Sequence, residues 1–298
     1  MKIHTAIAAL RADLAAERRL GRSIGLVPTM GALHDGHRSL LRTARQRDDV
    51  VVGTIFVNPT QFGPSEDFDR YPRSFEADAA VMAADGADYL FAPSVAEMYP
   101  VGVPATTVQV GPIGEVGEGR WRPGFLTAVA TVCVKLFSIT TPDRAYFGEK
   151  DAQQLATIRQ VVADLDLPLA VVGCPTVREP DGLARSSRNA YLTREERRAA
   201  PALARGLFAA RSAARAGERD AAALTRRVAD EIASEPAFTL QYVEVFDAAR
   251  FVPLGRLDAP AILAAAAHLG GTRLIDNVAL EVAAEPAGTA PGAAPRAQ

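Results

Sequence analysis

SIGLVPTMGALHDGHRSLLRTARQR, residues 23–47, runs from a short apolar segment through a polar, glycine-bearing turn into a helical pattern. SIGLVPT (23–29) suits a strand, and in GHRSLLRTARQR (36–47) Leu40, Leu41 and Ala44 recur on one face of a helix. The same order of strand, loop and helix repeats along the chain. VVVGTIFVN (50–58) is an uninterrupted apolar run, typical of a parallel strand covered on both faces. A helix over 74–86 leads to a strand in 87–93, and a buried helix over 127–139 leads to RAYF (144–147). An amphipathic helix over 151–165 leads to LAVVGCPTV (169–177). This alternation predicts an α/β fold: a Rossmann-like, doubly wound parallel sheet with helices on both faces.

The pattern changes after about residue 177. Two Ala/Arg-rich helices (194–216 and 219–233) precede FTLQYVEVFD and TRLIDNVALEV, which predicts a smaller α+β unit. The expected division is 1–176, 177–282 acting as a lid, and a disordered Ala/Pro/Gly-rich tail over 283–298. With 48% hydrophobic residues the chain can bury a sizeable core, and its net charge of -2 argues against nucleic-acid binding through bulk positive charge. Arg42, Arg45 and Arg47 read as a solvated helix face. Cys133 and Cys174 lie in apolar runs and read as reduced core residues. The N-terminal stretch lacks a signal-peptide apolar region, and no apolar run is long enough to span a bilayer. A soluble cytoplasmic protein with no membrane partner is the expectation.

In an open parallel sheet, ligands bind beyond the carboxyl ends of the strands. The loops there are PTMGALHDGH, NPTQFGPSEDF, FGEKDAQQ and VREPDGLARSSRN. If a helix starts near Asp35, His34 and His37 lie at its N-terminal end, where unpaired N–H groups and the helix dipole attract a phosphate. Two exposed polar histidines are the alternative. A zinc pair would need further ligands, and His4 and His268 are far away in sequence. Lys150 at a helix start opposes the dipole unless an anion lies between them. The hydroxyls and guanidinium of Ser186, Ser187 and Arg188 suit phosphate oxygens, although SSRN also reads as a helix cap. GPIGEVGEG (111–119) does not fit a dinucleotide fingerprint and reads as a loop.

HxGH after a first strand resembles the signature of the nucleotidyltransferase superfamily, which includes class I aminoacyl-tRNA synthetases. The longer string PTMGALHDGH resembles the pantoate–β-alanine ligases nearly letter for letter and FVNPTQFGPSEDFDRYPR resembles them closely; the likeness is strong over about 20–195 and loose over 196–280. The resemblance implies ATP-dependent joining of pantoate to β-alanine through an acyl-adenylate, with Mg²⁺ bridging the phosphates and a homodimer as the assembly. It implies that residues 1–176 bind nucleotide and pantoate. It assigns catalysis to His34, His37, Lys150, Ser186, Ser187 and Arg188. ATP contacts follow at Pro28, Thr29, Met30, Gly31, His34, Gly36 and His37. They continue at Gly148, Glu149, Lys150, Asp151, Val177, Arg185, Ser186, Ser187 and Arg188. Pantoate or β-alanine falls to Met30, Asn58, Gln61, Arg122 and Gln154, and Asp78 becomes an indirect contact to the metal. The chain departs from the family at Arg185, where Met is usual, and in RWRPGFLTAVATV (120–132). There Phe125, Leu126 and Ala128 replace His, Phe and Gly. Two other classes remain: another small-molecule adenylyltransferase, and a catalytically idle nucleotide-binding protein with a scaffolding role.

Overall fold

Valine-rich and alternating segments form a six-stranded sheet in the computed structural model, which describes residues 1–64 and 66–282. Its strands are β1 (Lys2–His4), β2 (Ile24–Val27), β3 (Val50–Thr54), β4 (Tyr89–Phe91), β5 (Arg144–Gly148) and β6 (Ala170–Cys174). They pair in the order β1-β4-β3-β2-β5-β6, all parallel. Seven helices accompany it: α1 (Ile7–Arg19), α2 (Asp35–Arg45), α3 (Phe75–Ala84), α4 (Val95–Met98), α5 (Gly117–Trp121), α6 (Phe125–Thr140) and α7 (Ala152–Asp164). Successive strand residues face opposite ways. Ile24, Leu26, Val50, Val52 and Phe147 therefore pack on Leu14, Val129, Leu136 and Ile158 of α1, α6 and α7. Val27, Val51 and Tyr146 pack on Leu40, Leu41 and Ala44 of α2 and Met82 of α3. This is the Rossmann-like, doubly wound arrangement expected. The chain steps from β2 to β3 to β4 on one side, then crosses to β5 and β6 on the other. The loops leaving β2 and β5 diverge at that reversal and open a crevice.

The second unit is a three-stranded antiparallel sheet of β7 (Phe238–Asp247), β8 (Ala261–Leu269) and β9 (Thr272–Leu280), in that order. Helices α8 (Arg194–Ala199), α9 (Pro201–Arg215) and α10 (Ala221–Ala233) precede it. Leu203, Leu207, Leu224 and Val228 join Val245, Leu263 and Leu274 in one core. Two groups are prominent among the contacts that tie this unit to the first. The Glu118 carboxylate on α5 receives both ends of the Arg273 guanidinium at 2.8 and 2.6 Å and the Tyr242 hydroxyl at 2.9 Å. Asn277 of β9 donates from Nδ2 to the carbonyls of Glu149 and Lys150, at 2.9 and 2.8 Å.

Several local expectations are corrected. The helix expected over 194–216 is two helices, because Pro201 lacks an N–H and starts a new one at its first position. The strand expected to reach Asn58 ends at Thr54. The second half of GPIGEVGEG enters the helix α5. The tail over 283–298 lies outside the described residues. Arg42 and Arg45 pair with Asp85 and Asp88, a structural use of that basic face. Both cysteines are buried and unbridged. Among the described residues no helix is long and apolar enough to cross a membrane.

Candidate active site

The crevice beyond β2 and β5 holds a cavity of about 510 Å³, and residues from all four loops line it. From the first come Pro28, Thr29, Met30, His34, Gly36 and His37. Gln61 and Arg122 line it from one wall, and Gly148, Lys150, Asp151 and Gln154 from another. Val177, Arg185, Ser186, Ser187 and Arg188 close it from the C-terminal side.

The two histidines are fixed by the helix they start. His34 is the N-cap of α2, and its Nδ1 accepts the Gly36 N–H at 3.1 Å. His37 Nδ1 accepts the His34 N–H at 3.3 Å, which completes a reciprocal capping box. A side chain on residue 36 would put its Cβ 2.7 Å from His34 Cε1, so glycine is what lets the ring fold over the helix end. Because each Nδ1 accepts, each neutral ring carries its proton on Nε2, as a donor. The ring centroids are 4.2 Å apart. Burial, with the nearby His37 and the Lys150 ammonium adding to it, lowers the His34 pKa to about 3. Burial and Lys150 lower His37 to about 4. Both imidazoles are therefore uncharged donors near neutral pH.

That depression has a consequence for stability. The unfolded chain takes up protons near pH 6.5 that the folded rings refuse, so the contribution is complete above 6.5 and declines as pH falls toward 4. Unfolding free energies from urea titrations between pH 7 and 5 are expected to fall, by up to about 1.4 kcal/mol per pH unit for each imidazole. His37→Gln should flatten the slope. An equally steep slope in that variant would show that other groups carry it.

Lys150 sits in the turn Glu149–Asp151 between β5 and α7, its Nζ 3.9 Å from Asp151 Oδ1. The Ser186 hydroxyl caps the turn Ser187–Tyr191 by accepting the Arg188 N–H at 3.3 Å. Arg188 grips Asp67 with Nε and Nη2 at 3.1 and 2.9 Å. Arg185 reaches Asp35 at 3.1 Å and Glu179 at 2.9 Å. Arg122 holds both oxygens of Glu66, at 2.7 and 2.6 Å, and the Gln61 carbonyl at 3.0 Å. Its guanidinium lies 3.6 Å from the Phe125 ring centroid, so the residue that departs from the family pattern supplies a cation–π face. Leu126 and Ala128 are buried in α6.

Four residues from the sequence-derived set do not line this cavity. Asn58 is buried behind it. Its Oδ1 accepts from the Tyr99 hydroxyl at 3.1 Å and the Thr60 hydroxyl at 2.9 Å, and its Nδ2 donates to Gln61 Oε1 at 3.0 Å. Asn58 thus aims Gln61. Glu149 offers its carbonyl to Asn277. Gly31, with φ 84°, belongs to the turn behind the cavity. Asp78 holds that turn, accepting the N–H groups of Ala32 and Leu33 at 2.8 Å each and the Ser74 hydroxyl at 3.2 Å. Its oxygens thus serve the backbone and Ser74 and brace the turn that leads to His34. Among the described residues no group of three or more His, Cys, Asp or Glu could hold a metal ion. Three functional neighbours went unassigned in the sequence. Glu66 and Asp67 lie within NPTQFGPSEDF, but nothing local pairs them with Arg122 and Arg188. Asn277 gave no local signal.

Comparisons with known proteins agree over nearly the whole chain. The family model Pantoate-beta-alanine ligase matches residues 2–279. The pantothenate synthetase of Moorella thermoacetica is 53% identical over 282 residues, 95% of this chain and 99% of that protein. That of Roseiflexus castenholzii is 52% identical over 281 residues, 94% of this chain and 100% of that protein. The crystal structure of pantothenate synthetase from Thermus thermophilus superposes with a TM-score of 0.88 at 46% identity, covering 93% of this chain and 99% of that one. The Francisella tularensis ligase, complexed with β-γ ATP and β-alanine, gives a TM-score of 0.76 at 34% identity, covering 93% of this chain and 97% of that one.

Proposed function

The chain belongs to the pantoate-β-alanine ligase family, and from that premise we propose that it condenses pantoate with β-alanine, converting ATP to AMP and pyrophosphate. One observation carries the reading: two uncharged imidazoles at the start of α2 share a cavity with Lys150 and the Ser186–Ser187 pair. In the first step a pantoate carboxylate oxygen attacks the α-phosphate, and the bond to pyrophosphate breaks. The carboxylate is ionised already, so alignment and charge stabilisation are what the protein must supply. The Nε2–H groups of His34 and His37 donate to phosphate oxygens without adding charge, and Lys150 supplies the cation. Ser186, Ser187 and Arg188 hold the remaining phosphates, with Arg188 exchanging Asp67 for phosphate oxygens. Gln61, oriented by Asn58, and Gln154 bind pantoate. In the second step the β-alanine ammonium loses a proton to solvent, the free amine attacks the acyl carbon, the bond to AMP breaks, and a second proton leaves the new amide nitrogen.

Since no group of three or more His, Cys, Asp or Glu could hold a metal ion among the described residues, Mg²⁺ would be carried mainly by the nucleotide, where it would supply neutralisation of phosphate charge. The C-terminal unit serves as the lid, since Val177 and Arg185–Arg188 cover the cavity while Asn277 grips the backbone at Lys150. Release of AMP from ATP tests the whole reading. Full turnover is expected only with pantoate and β-alanine together. AMP release indifferent to both acids would point to another transferase, and none at all to an idle protein.

A further inference from the structure

Asp35 stands at the first helical position of α2, directly between the two histidines in sequence, and its side chain is half-exposed. A carboxylate there favours the helix dipole but opposes any polyanion brought to the same helix end. Among the described residues one cation lies within ion-pair distance of it: the Arg185 guanidinium, with Nη2 3.1 Å from Asp35 Oδ2. The other arm of the same guanidinium sits 2.9 Å from Glu179. Arg185 closes a hairpin, donating its N–H to the Val177 carbonyl at 2.9 Å, while the Glu179 N–H donates to the Leu183 carbonyl at 2.8 Å. One side chain thus cancels a charge at the mouth of the phosphate end and ties the hairpin that carries Ser186 and Ser187 to α2.

We propose that Arg185 is a positioning residue for the nucleotide: an electrostatic clasp that masks Asp35 and so makes the start of α2 acceptable to a triphosphate. The proposal rests on the ATP reading of the cavity and deepens it. A simple fastening would tolerate no loss of Arg185, whatever stood at 35. A mask becomes dispensable once the charge it covers is gone.

Calorimetric titration of the full-length protein with ATP distinguishes these roles. Arg185→Met should weaken ATP binding by about tenfold at low salt, the scale of one unpaired like-charge contact near a surface. Asp35→Asn alone should stay within about threefold of the parent protein, and Asp35→Asn/Arg185→Met should return to within about threefold of it. The tenfold gap should also narrow at high ionic strength, because the pair is half-exposed. An Arg185→Met protein that binds ATP normally overturns the proposal, as does a double variant as weak as Arg185→Met. Melting curves of all three variants check that each is folded. If the parent protein binds no ATP, the clasp and the nucleotide site fall together. If it binds ATP and makes no pantothenate, only the ligase reading fails.

Discussion

Lys150→Ala is expected to lower pantoate-dependent ATP–pyrophosphate exchange by about 100- to 1,000-fold, the usual cost of removing one group that stabilises charge in a transition state. The ammonium sits in the same cavity as both imidazoles and is close enough to depress their basicity. It is therefore the cation that faces the two rings, and they are its uncharged companions. Its side chain leaves no buried partner behind, because its ion pair is the long contact to half-exposed Asp151. The variant should unfold at the parent's urea midpoint. His37→Ala should lose exchange to a similar extent but also some stability, about 0.5–2 kcal/mol, because its Nδ1 caps α2. His37→Gln separates the two effects: its amide oxygen can accept the His34 N–H, so stability should return while exchange stays low. Exchange within a few-fold of the parent in Lys150→Ala and His37→Gln together would remove both from the chemistry.

Glu118→Ala should cost on the order of 3–5 kcal/mol of stability, the range seen when one partner of a buried ion pair is removed. Glu118 is 6% exposed and takes three donors from the second unit: two from Arg273 and the Tyr242 hydroxyl. Without it the Arg273 guanidinium keeps one acceptor among the described residues, Gln241 at 2.8 Å, and the tyrosine hydroxyl loses its own. Burial and the Glu118 charge push the Tyr242 pKa far up, so the tyrosine is a donor at every accessible pH. Glu118→Ala/Arg273→Met should recover part of the loss, since the uncompensated charge goes with the arginine. Denaturant unfolding of the single and double variants measures both numbers. A loss under about 1 kcal/mol in Glu118→Ala would mean that the pair is effectively solvated and does not hold the units together.

The doubly wound sheet was readable because its strands are short apolar runs, Val-rich in β3 and β6, that alternate with helical patterns, amphipathic as in α2 or buried as in α6. The four loops were readable because a parallel sheet gathers the carboxyl ends of its strands on one edge. What escaped has physical causes. β8 is AILAAAAHL, and alanine is the best helix former, so nothing local marks a strand; it is one because β7 and β9 flank it and Ala264–Ala267 are buried between layers. β1 spans only three residues at a sheet edge and exists through its pairing with β4. Asn58 and Asp78 are polar residues near a loop, which suggests ligand contact, yet their partners are tyrosine, threonine, serine, glutamine and backbone groups brought in by the fold. Arg122 and Arg188 were legible as cations. Their carboxylate partners could be matched only in three dimensions.

The grip of Asn277 on the carbonyls of Glu149 and Lys150 limits how this protein can be rebuilt from parts. A boundary drawn between the two sheets separates the lysine from the residue that anchors its main chain. A hybrid that borrowed its C-terminal half from a distant relative would bring a foreign hand to that anchor, and would misplace the ammonium even if every group touching substrate were native. The unit of inheritance for this chemistry is the pair of sheets, not the nucleotide-binding half alone.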